Sequence, residues 1–448
     1  MAVQMRKIII ALLLSVAGFS VAIIFYPMVQ SLLIASIVLM VVLWTNEGLP
    51  LAAVSLLPIV IYPAAGILTT KETTLNYANP IVFLFLGGFL LAIAVEKTGL
   101  HRWIANKMLN LFPGSARGIV FALIFTSGLL SSVLSNTTTT LLLLPIVLYL
   151  VDDNKLKLRF SLGVAYGASI GGILTPIGTP PNLILMGLMQ EWGLEPISFV
   201  QWVWMVAPLV LLMSVIVGFV LSFDLKQISI KHDLSTSSLN TSQKKVLAVF
   251  SGLILLLLMN APVKPYYDGL GLNETGILLA AGLMLFVPPL SILDWNQDKN
   301  NIPYQIMFLF GAGFTIAAAF TQTGMAKEVA SQLIALVDMP TVIFMLVVAL
   351  IVTFTTEITS NTALISIMLP ILYQVVNAAG LNVTLFMMIA TICASYAFML
   401  PIATPPNAIV MSSGAVSVRS MAGFGFIINI IGILLIVMVA QLIWSNVL

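Results

Sequence analysis

The stretch "SNTTTT", residues 135–140, interrupts an apolar run that extends from 118 to 150. Six neutral polar side chains in a row are costly inside a bilayer, which offers them no water. A straight helix over the whole run would be roughly 50 Å long at 1.5 Å per residue, which exceeds a hydrocarbon core of roughly 30 Å. Basic residues flank both ends of the run: Arg117, Lys155, Lys157 and Arg159. The positive-inside rule therefore places both ends in the cytoplasm and predicts a re-entrant hairpin with a polar tip.

The composition places the chain among helical proteins that cross a membrane many times. Hydrophobic residues make up 60% of the 448 positions and charged residues 8%, and apolar runs of about 20 residues recur, as a bilayer core requires. The pattern contains no strands of alternating polarity, which argues against an outer-membrane barrel. The net charge of +2 is too small to indicate nucleic-acid binding. The single cysteine, Cys393, excludes an internal disulfide.

A second run of excess length, 341–374, also contains "SNT", at 360–362, and predicts a second re-entrant hairpin. With the other runs interpreted as crossings, the expected fold is an all-α polytopic membrane protein with about 11 transmembrane helices plus two re-entrant hairpins. The first crossing, 8–26, is too long for the apolar core of a signal peptide and is therefore kept as a span.

Three pairs of segments show that the chain contains an internal repeat. "LFLGGFLLAIAVEKTGL" (84–100) is similar to "LFGAGFTIAAAFTQTGM" (309–325), "SNT" occurs twice, and "IGTPPN" (177–182) recurs as "IATPPN" (402–407). All three pairs share one offset of about 225 positions, which predicts two halves of one design.

The repeat divides the chain into four parts: an N-terminal helix over 1–29, a first repeat over 30–222, a cytoplasmic linker over 223–245 and a second repeat over 246–448. The first repeat is predicted to hold scaffold helices to about 112, the hairpin 118–150 and a broken helix over 160–190. The second is predicted to hold scaffold helices to about 337, the hairpin 341–374 and a broken helix over 385–414.

The two repeats are predicted to be inverted relative to each other. Five full crossings separate the hairpins, and five is an odd number, so the second hairpin enters from the opposite face. With the N-terminus in the cytoplasm and the C-terminus outside, all but three of the 18 basic residues fall in cytoplasmic segments, and the exceptions are Lys71, Lys264 and Lys327. The expected location is the cell membrane, with many passes.

Two opposed hairpins bring both "SNT" tips near the bilayer midplane, beside the two "TPPN" stretches. Proline removes an amide donor and breaks each helix there. Broken helices at membrane depth are tolerated where they line a cavity, because their free N–H groups suit an anion and their free carbonyls suit a small cation. One "SNT" alone is typical of helix packing, but two motifs repeated in register indicate a binding site for a charged solute.

Three other residues could carry chemistry. Glu357 is the one acid deep within an apolar run, and both a structural hydrogen-bonding role and a proton or cation role are open for it. His101 and His232 lie in charged cytoplasmic segments and are expected to be solvated. The segment 100–112 is predicted to be an interfacial amphipathic helix with its apolar face on Leu100, Trp103, Ile104, Met108 and Leu111.

The paired "SNT" and "TPPN" motifs and "TEITSNTA" (356–363) resemble the divalent anion/sodium symporter family, which includes the bacterial INDY-type dicarboxylate transporters. The resemblance covers nearly the whole chain. It implies a homodimer in which a fixed scaffold supports a moving transport part, as in an elevator. The implied activity is sodium-coupled symport of a C4-dicarboxylate such as succinate, with Na⁺ as the co-transported ion and a lipid bilayer as the surroundings.

The family's binding residues match positions of this chain. The resemblance implies a first sodium site formed by Ser131, Ser135, Asn136 and Gly178, and a second formed by Thr356, Thr359, Ser360, Asn361 and Ala403. It implies substrate contacts by Ser135, Asn136, Thr137, Thr179, Pro180, Ser360, Asn361, Thr362, Thr404 and Pro405. Thr359 stands where the family would have alanine, so the second sodium site depends on whether only its carbonyl binds the ion.

Three alternatives remain open from the sequence. An obligate dicarboxylate or tricarboxylate exchanger of the same fold would need no sodium. A channel is disfavoured by two closed hairpins. An intramembrane enzyme is disfavoured because the chain has no HExxH motif, no pair of aspartates in a span and no serine–lysine pair at depth. The preferred substrate order is C4-dicarboxylate, then citrate, then sulfate.

Overall fold

A computed structural model describes residues 2–225, 238–262, 266–333 and 339–448. His232, Lys264, the middle of the predicted linker and the end of the predicted scaffold near 337 lie outside the described residues. The first half of the chain forms α1 (Ala2–Phe25), α2 (Met28–Asn46), α3 (Leu51–Ser55), α4 (Leu57–Ala64), α5 (Thr70–Tyr77), α6 (Pro80–Thr98), α7 (Leu100–Leu109), α8 (Ala116–Ser131), α9 (Asn136–Leu150), α10 (Asn154–Gly172), α11 (Pro180–Glu191) and α12 (Phe199–Ser222).

The second half forms α13 (Thr241–Asn260), α14 (Glu274–Met284), α15 (Trp295–Asp298), α16 (Tyr304–Gln322), α17 (Met325–Leu333), α18 (Thr341–Thr356), α19 (Asn361–Ala378), α20 (Val383–Cys393), α21 (Pro405–Ser412) and α22 (Val418–Leu442). The all-helical, polytopic architecture predicted from the composition is confirmed. Helix α13 begins at Thr241, so the last five residues of the predicted linker are helical. An asparagine side chain caps this helix and starts it earlier than the apolar pattern indicates.

Eight helical segments in the described residues are long and apolar enough to cross a membrane, and six further apolar helices are shorter. The sequence led us to expect about 11 crossings. Three expected crossings, 50–66, 274–290 and 385–414, contain only shorter helices: Leu51–Ala64, α14 and α20. Helices α8, α9 and α18 are also short, but they are arms of the predicted hairpins, which were not counted among the 11 crossings. Part of the shortfall in long helices therefore comes from crossings that are built from short helices.

Helix boundaries recur along the chain with the offset of the sequence repeat. Helices α7, α8, α9 and α11 begin at 100, 116, 136 and 180, and α17, α18, α19 and α21 begin 225 positions later, at 325, 341, 361 and 405. Asparagine starts both α9 and α19, and proline starts both α11 and α21, so the repeated motifs start the same elements in both halves. The assignment of these halves as inverted repeats stays a prediction.

Contacts between the halves join the helices that follow the motifs. Helix α9 packs against α21, and α11 packs against α19, so each helix that follows an "SNT" tip contacts the helix that follows the opposite "TPPN" break. Within the first half, α8 and α10 approach so closely that a Cβ on Gly171 would lie 2.1 Å from the carbonyl oxygen of Gly128. This contact holds the first tip against the helix that leads to the break.

Helix α7 buries a face that only partly coincides with its predicted apolar face. Its buried residues are Leu100, His101, Ala105 and Leu109, whereas Leu111 is exposed. The expectation of a solvated His101 is wrong, because its Nδ1 lies 3.0 Å from the carbonyl oxygen of Val95. In a membrane protein an apolar face can turn toward lipid, so polarity alone does not tell which face packs on protein.

Candidate functional site

Four helices begin at the four repeated motifs. Ser135 and Ser360 are the N-cap residues of α9 and α19, and Thr179 and Thr404 are the N-cap residues of α11 and α21. The first turns of helices leave N–H groups without partners in the helix and carry the positive end of the helix dipole. All four motifs therefore present favourable positions for an anion.

Three of these four helix starts lack a capping side chain. Ser135 Oγ accepts the N–H of Thr138 at 3.0 Å, as an N-cap residue should. The side chains of Ser360, Thr179 and Thr404 make no such bond. In α19 the first-turn N–H groups are therefore left for a ligand. In α11 and α21 the first two residues are prolines without an N–H, and the third N–H bonds to the N-cap carbonyl, so these two helices offer an anion the positive end of the dipole. The first turns of α9, α11, α19 and α21 also hold the candidate substrate residues Thr137, Pro180, Thr362 and Pro405, one in each helix.

Several oxygen atoms converge beside the first tip. Ser131 Oγ donates to Asn136 Oδ1 at 2.5 Å. A Cβ on Gly178 would lie 2.4 Å from the carbonyl oxygen of Gly172 and 3.1 Å from that of Ser131, and a Cβ on Gly172 would lie 2.7 Å from Asn136 Oδ1. Backbone atoms therefore leave room only for glycine at 178, and a Cβ at 172 would displace the Asn136 amide. The structure therefore brings together three of the four predicted ligands of the first sodium site, and hard oxygen donors of this kind suit a small cation.

Ser135, the fourth predicted ligand of that site, is exposed, and its hydroxyl is occupied locally. Its Oγ lies 2.9 Å from Thr138 Oγ1 as well as accepting the Thr138 N–H. The hydroxyl therefore caps α9, which leaves the backbone of Ser135 as the group that can face a ligand.

The second tip has the same core geometry. Thr356 Oγ1 lies 2.6 Å from Asn361 Oδ1 and 2.8 Å from the carbonyl oxygen of Ala394. Positions 356 and 361 are the counterparts of 131 and 136, so the same hydroxyl-to-amide contact is built in both halves by different hydroxyl residues. Ala403, which is 5% exposed, stands where the first half has Gly178.

Thr359 lies in the second tip and is tied to the preceding helix, α18. Its Oγ1 donates to the carbonyl oxygen of Thr355 at 2.8 Å. The hydroxyl is therefore turned back along the chain, and the carbonyl of Thr359 is the group left for an ion. This orientation supports the interpretation in which threonine replaces alanine at no cost to the second site.

Two asparagines that the sequence analysis did not single out bridge the helix breaks. Asn182 Nδ2 donates to the carbonyl oxygens of Gly172 and Thr175 at 3.4 and 2.9 Å. Asn407 Nδ2 donates to those of Ala397 and Leu400 at 2.8 and 3.0 Å. The signal was present in the sequence, because both are the last residue of a "TPPN" motif.

Glu357 anchors the second break to the second tip. Its Oε1 accepts from Phe398 N at 2.8 Å, Met399 N at 2.9 Å and Asn429 Nδ2 at 2.7 Å, and its Oε2 accepts from Met399 N at 3.1 Å and Leu400 N at 3.0 Å. Every contact is made by a donor, so the carboxyl has the surroundings of an ionised, acceptor-only group. This arrangement supports the structural role that the sequence left open.

The first half makes the corresponding connection without an acid. Position 132, the counterpart of 357, is a serine whose carbonyl oxygen accepts a hydrogen bond from Thr175 Oγ1. The two halves therefore repeat the tip and the break but differ in what joins them. Asn429, which completes the carboxylate shell, was missed because it lies 72 positions from Glu357.

The described residues contain no group of three or more histidine, cysteine, aspartate or glutamate side chains that could hold a metal ion. The oxygen-lined positions at the tips are thus built from hydroxyl, amide and backbone carbonyl groups. Such neutral oxygen donors suit an alkali cation that is bound and released, in contrast with the thiolate and imidazole ligands of a transition metal.

The structure is an apolar helical bundle whose helices are broken at paired polar motifs. These features define the class of the protein, which is a polytopic membrane transporter. Solved transporters share the architecture. The YdaH transporter of Alcanivorax borkumensis matches with a TM-score of 0.64 and 16% identity over 94% of this chain and 99% of that one. MtrF of Neisseria gonorrhoeae, described as an antimetabolite efflux pump, matches with a TM-score of 0.59 and 15% identity over 93% and 95%. At these identities the likeness shows the fold alone.

Sequence comparison gives the family. The citrate transporter profile matches residues 37–384. The sodium-dependent dicarboxylate transporter SdcS of Staphylococcus saprophyticus is 32% identical over 433 residues, and SdcS of Staphylococcus aureus strain USA300 is 34% identical over 430; each match covers 88% of this chain and 82% of the relative. The chain belongs to the divalent anion/sodium symporter family, which confirms the resemblance found in the motifs. It is a transporter and not an enzyme.

Proposed function

We propose that this protein is a secondary active transporter that carries a C4-dicarboxylate such as succinate together with sodium. The observation that carries the proposal is the pair of oxygen-lined positions at the tips, each beside the start of a helix that follows a break. The relatives named as sodium-dependent dicarboxylate transporters support both the cation and the substrate class.

The proposed cation sites are the two tips with the backbone that closes them. Ser131, Asn136 and Gly178 would hold one sodium ion, with the backbone of Ser135. The second ion would be held by the counterparts in the other half: Thr356, Thr359, Ser360, Asn361 and Ala403. The amide oxygens of Asn136 and Asn361 already accept a hydrogen bond, so an ion would replace or share that contact.

The proposed substrate site uses the four helix starts. The two carboxylates of the anion would accept hydrogen bonds from the first-turn N–H groups of α9 and α19 and from the side chains of the candidate residues Asn136, Thr137, Asn361 and Thr362. At the breaks they would face the positive ends of α11 and α21, at Thr179, Pro180, Thr404 and Pro405. No basic side chain occurs in any of the four motifs. Co-bound sodium ions would therefore supply the positive charge that the site itself lacks.

Citrate is a second candidate substrate. The profile that matches residues 37–384 is that of the citrate transporter family, and the four helix starts could serve a tricarboxylate with the same chemistry. Competition by unlabelled citrate against labelled succinate would rank the two anions.

The mechanism that we propose is an elevator in a homodimer. The scaffold would comprise the helices up to α7 and from α13 to α17, and the moving part would comprise the remaining helices with both tips. The N-terminus would lie in the cytoplasm and the C-terminus outside the cell membrane, as the distribution of basic residues indicates.

Uptake of labelled succinate into proteoliposomes tests the proposal. We expect accumulation when sodium is high outside and low inside, and little uptake when choline replaces sodium. Uptake that ignores the sodium gradient but is stimulated by dicarboxylate loaded inside would contradict symport and identify an exchanger.

A further inference from the structure

We propose that Asn182 and Asn407 are positioning residues, each of which sets the backbone carbonyl that closes one of the two sodium sites. The inference rests on the proposed sodium-coupled function. It concerns two residues that make no direct contact with ion or substrate in the assignment above.

The hydrogen bonds of the two asparagines repeat bond for bond. In the first half, the carbonyl oxygen of Thr175 accepts both Asn182 Nδ2, at 2.9 Å, and the N–H of Gly178, at 3.3 Å. In the second half, the carbonyl oxygen of Leu400 accepts both Asn407 Nδ2, at 3.0 Å, and the N–H of Ala403, at 3.3 Å. Each asparagine therefore fixes the turn that ends at the proposed carbonyl ligand.

Each asparagine also ties the helix that follows a break to the segment that precedes it. It is the third residue of the helix that follows the break, and its second acceptor, Gly172 O or Ala397 O, lies ten positions upstream. In a capping box the third residue bonds back to its own N-cap. Here it bonds instead to two carbonyls of the preceding segment.

The orientation of the two amides follows from their surroundings. Both asparagines are completely buried, and each Oδ1 lacks a hydrogen-bond partner among the described residues. Rotating the amide would point Oδ1 at two carbonyl oxygens, which is worse. A buried acceptor without a partner lowers the stability of the fold. Because such an Oδ1 occurs at both equivalent positions, we infer that the Nδ2 donor is the group that each break requires.

The two halves should respond unequally. The segment 398–400 is also held by the Glu357 carboxylate, through three backbone N–H groups. The first break has one corresponding side-chain bond, from Thr175 to Ser132. Without Asn407, the second break therefore keeps more supporting hydrogen bonds than the first break keeps without Asn182.

The test compares Asn182→Leu and Asn407→Leu with the wild-type chain in proteoliposomes. Leucine fills the volume of the side chain and removes both the donor and the unpartnered Oδ1. We expect Asn182→Leu to raise the sodium concentration for half-maximal succinate uptake about tenfold, as the loss of one net hydrogen bond would. The KM for succinate at saturating sodium should stay within about twofold. The rise for Asn407→Leu should be smaller.

Asn260→Leu is the matched control. Asn260 is also buried, and it also bridges backbone, since it donates to Leu272 O at 3.0 Å and accepts Leu272 N at 2.8 Å, but it lies in the proposed scaffold. We expect it to lower thermal stability without changing the sodium dependence. If either leucine variant at a break fails to fold, Asn182→Ser and Asn407→Ser are measured by thermal shift in sodium and in choline.

Two results are decisive. If folded variants at 182 and 407 keep the wild-type sodium dependence, as Asn260→Leu should, the positioning role is overturned. If the wild-type chain itself transports succinate equally well in choline, the proposed function fails instead, and the two failures are distinguished by the wild-type measurement alone.

Discussion

Glu357 is the residue whose replacement has the clearest expected cost in stability. In Glu357→Gln, Oε1 can keep its three donors, but the new amide nitrogen replaces Oε2 and faces the N–H groups of Met399 and Leu400. Turning the amide over is worse, because its nitrogen would then face Phe398 N, Met399 N and Asn429 Nδ2. Two hydrogen bonds to a charged acceptor are therefore lost in the better orientation.

The magnitude follows from those two bonds. Hydrogen bonds to charged groups contribute about 1.5–3 kcal/mol each, so their loss costs about 3–6 kcal/mol. Removing a buried charge returns part of its desolvation penalty, which amounts to several kcal/mol. We expect a net loss of about 2–3 kcal/mol in the free energy of unfolding.

Thermal unfolding of the purified protein in detergent measures this loss, with Ser132→Ala as the control. Ser132 occupies the equivalent position in the first half, and among the described residues its hydroxyl bonds to Leu129 O of the preceding helix α8 alone. Its removal should therefore cost less than about 1 kcal/mol. A midpoint for Glu357→Gln equal to that of the control would refute the argument that the carboxylate holds the second break.

Three further predictions concern transport. Asn136→Ala and Asn361→Ala should each abolish succinate uptake while the protein stays folded, because each is assigned to both an ion and the anion; normal uptake by either variant contradicts the site. In a Cys393→Ala background, a cysteine at Ser238 should be labelled only from the cytoplasm and one at Asn446 only from outside, and labelling of both from one side contradicts the inverted repeat. Calorimetry should show that sodium raises succinate affinity and that succinate raises sodium affinity by the same factor; equal succinate affinity in choline favours the exchanger.

The breaks in the helices were predictable because their causes are local. Proline at 180 and 405 cannot continue a helix from the preceding residue, and the polar "SNT" tips cannot remain in an apolar crossing. The helices α11, α21, α9 and α19 begin at these motifs. A repeated pattern in the sequence was sufficient to mark where each helix would start.

The bonds that support the breaks were not predictable from local pattern. Glu357 meets Phe398 and Asn429, which lie 41 and 72 positions away, and only the packed bundle brings them together. Asn182 and Asn407 are within ten residues of their acceptors, yet a single asparagine after two prolines does not indicate that its amide crosses the break. Tertiary contacts decided these roles.

The four motifs contain no charged basic side chain, which gives a reason why anion transport would be coupled to sodium. A lysine or arginine in the site would bind a dicarboxylate without help and would let it cross without sodium. Here the helix starts supply only about half a charge each, and unpaired charge in a low dielectric costs several kcal/mol. We therefore infer that the proposed site would disfavour the anion until sodium is bound, and that its lack of positive charge would couple the anion to sodium.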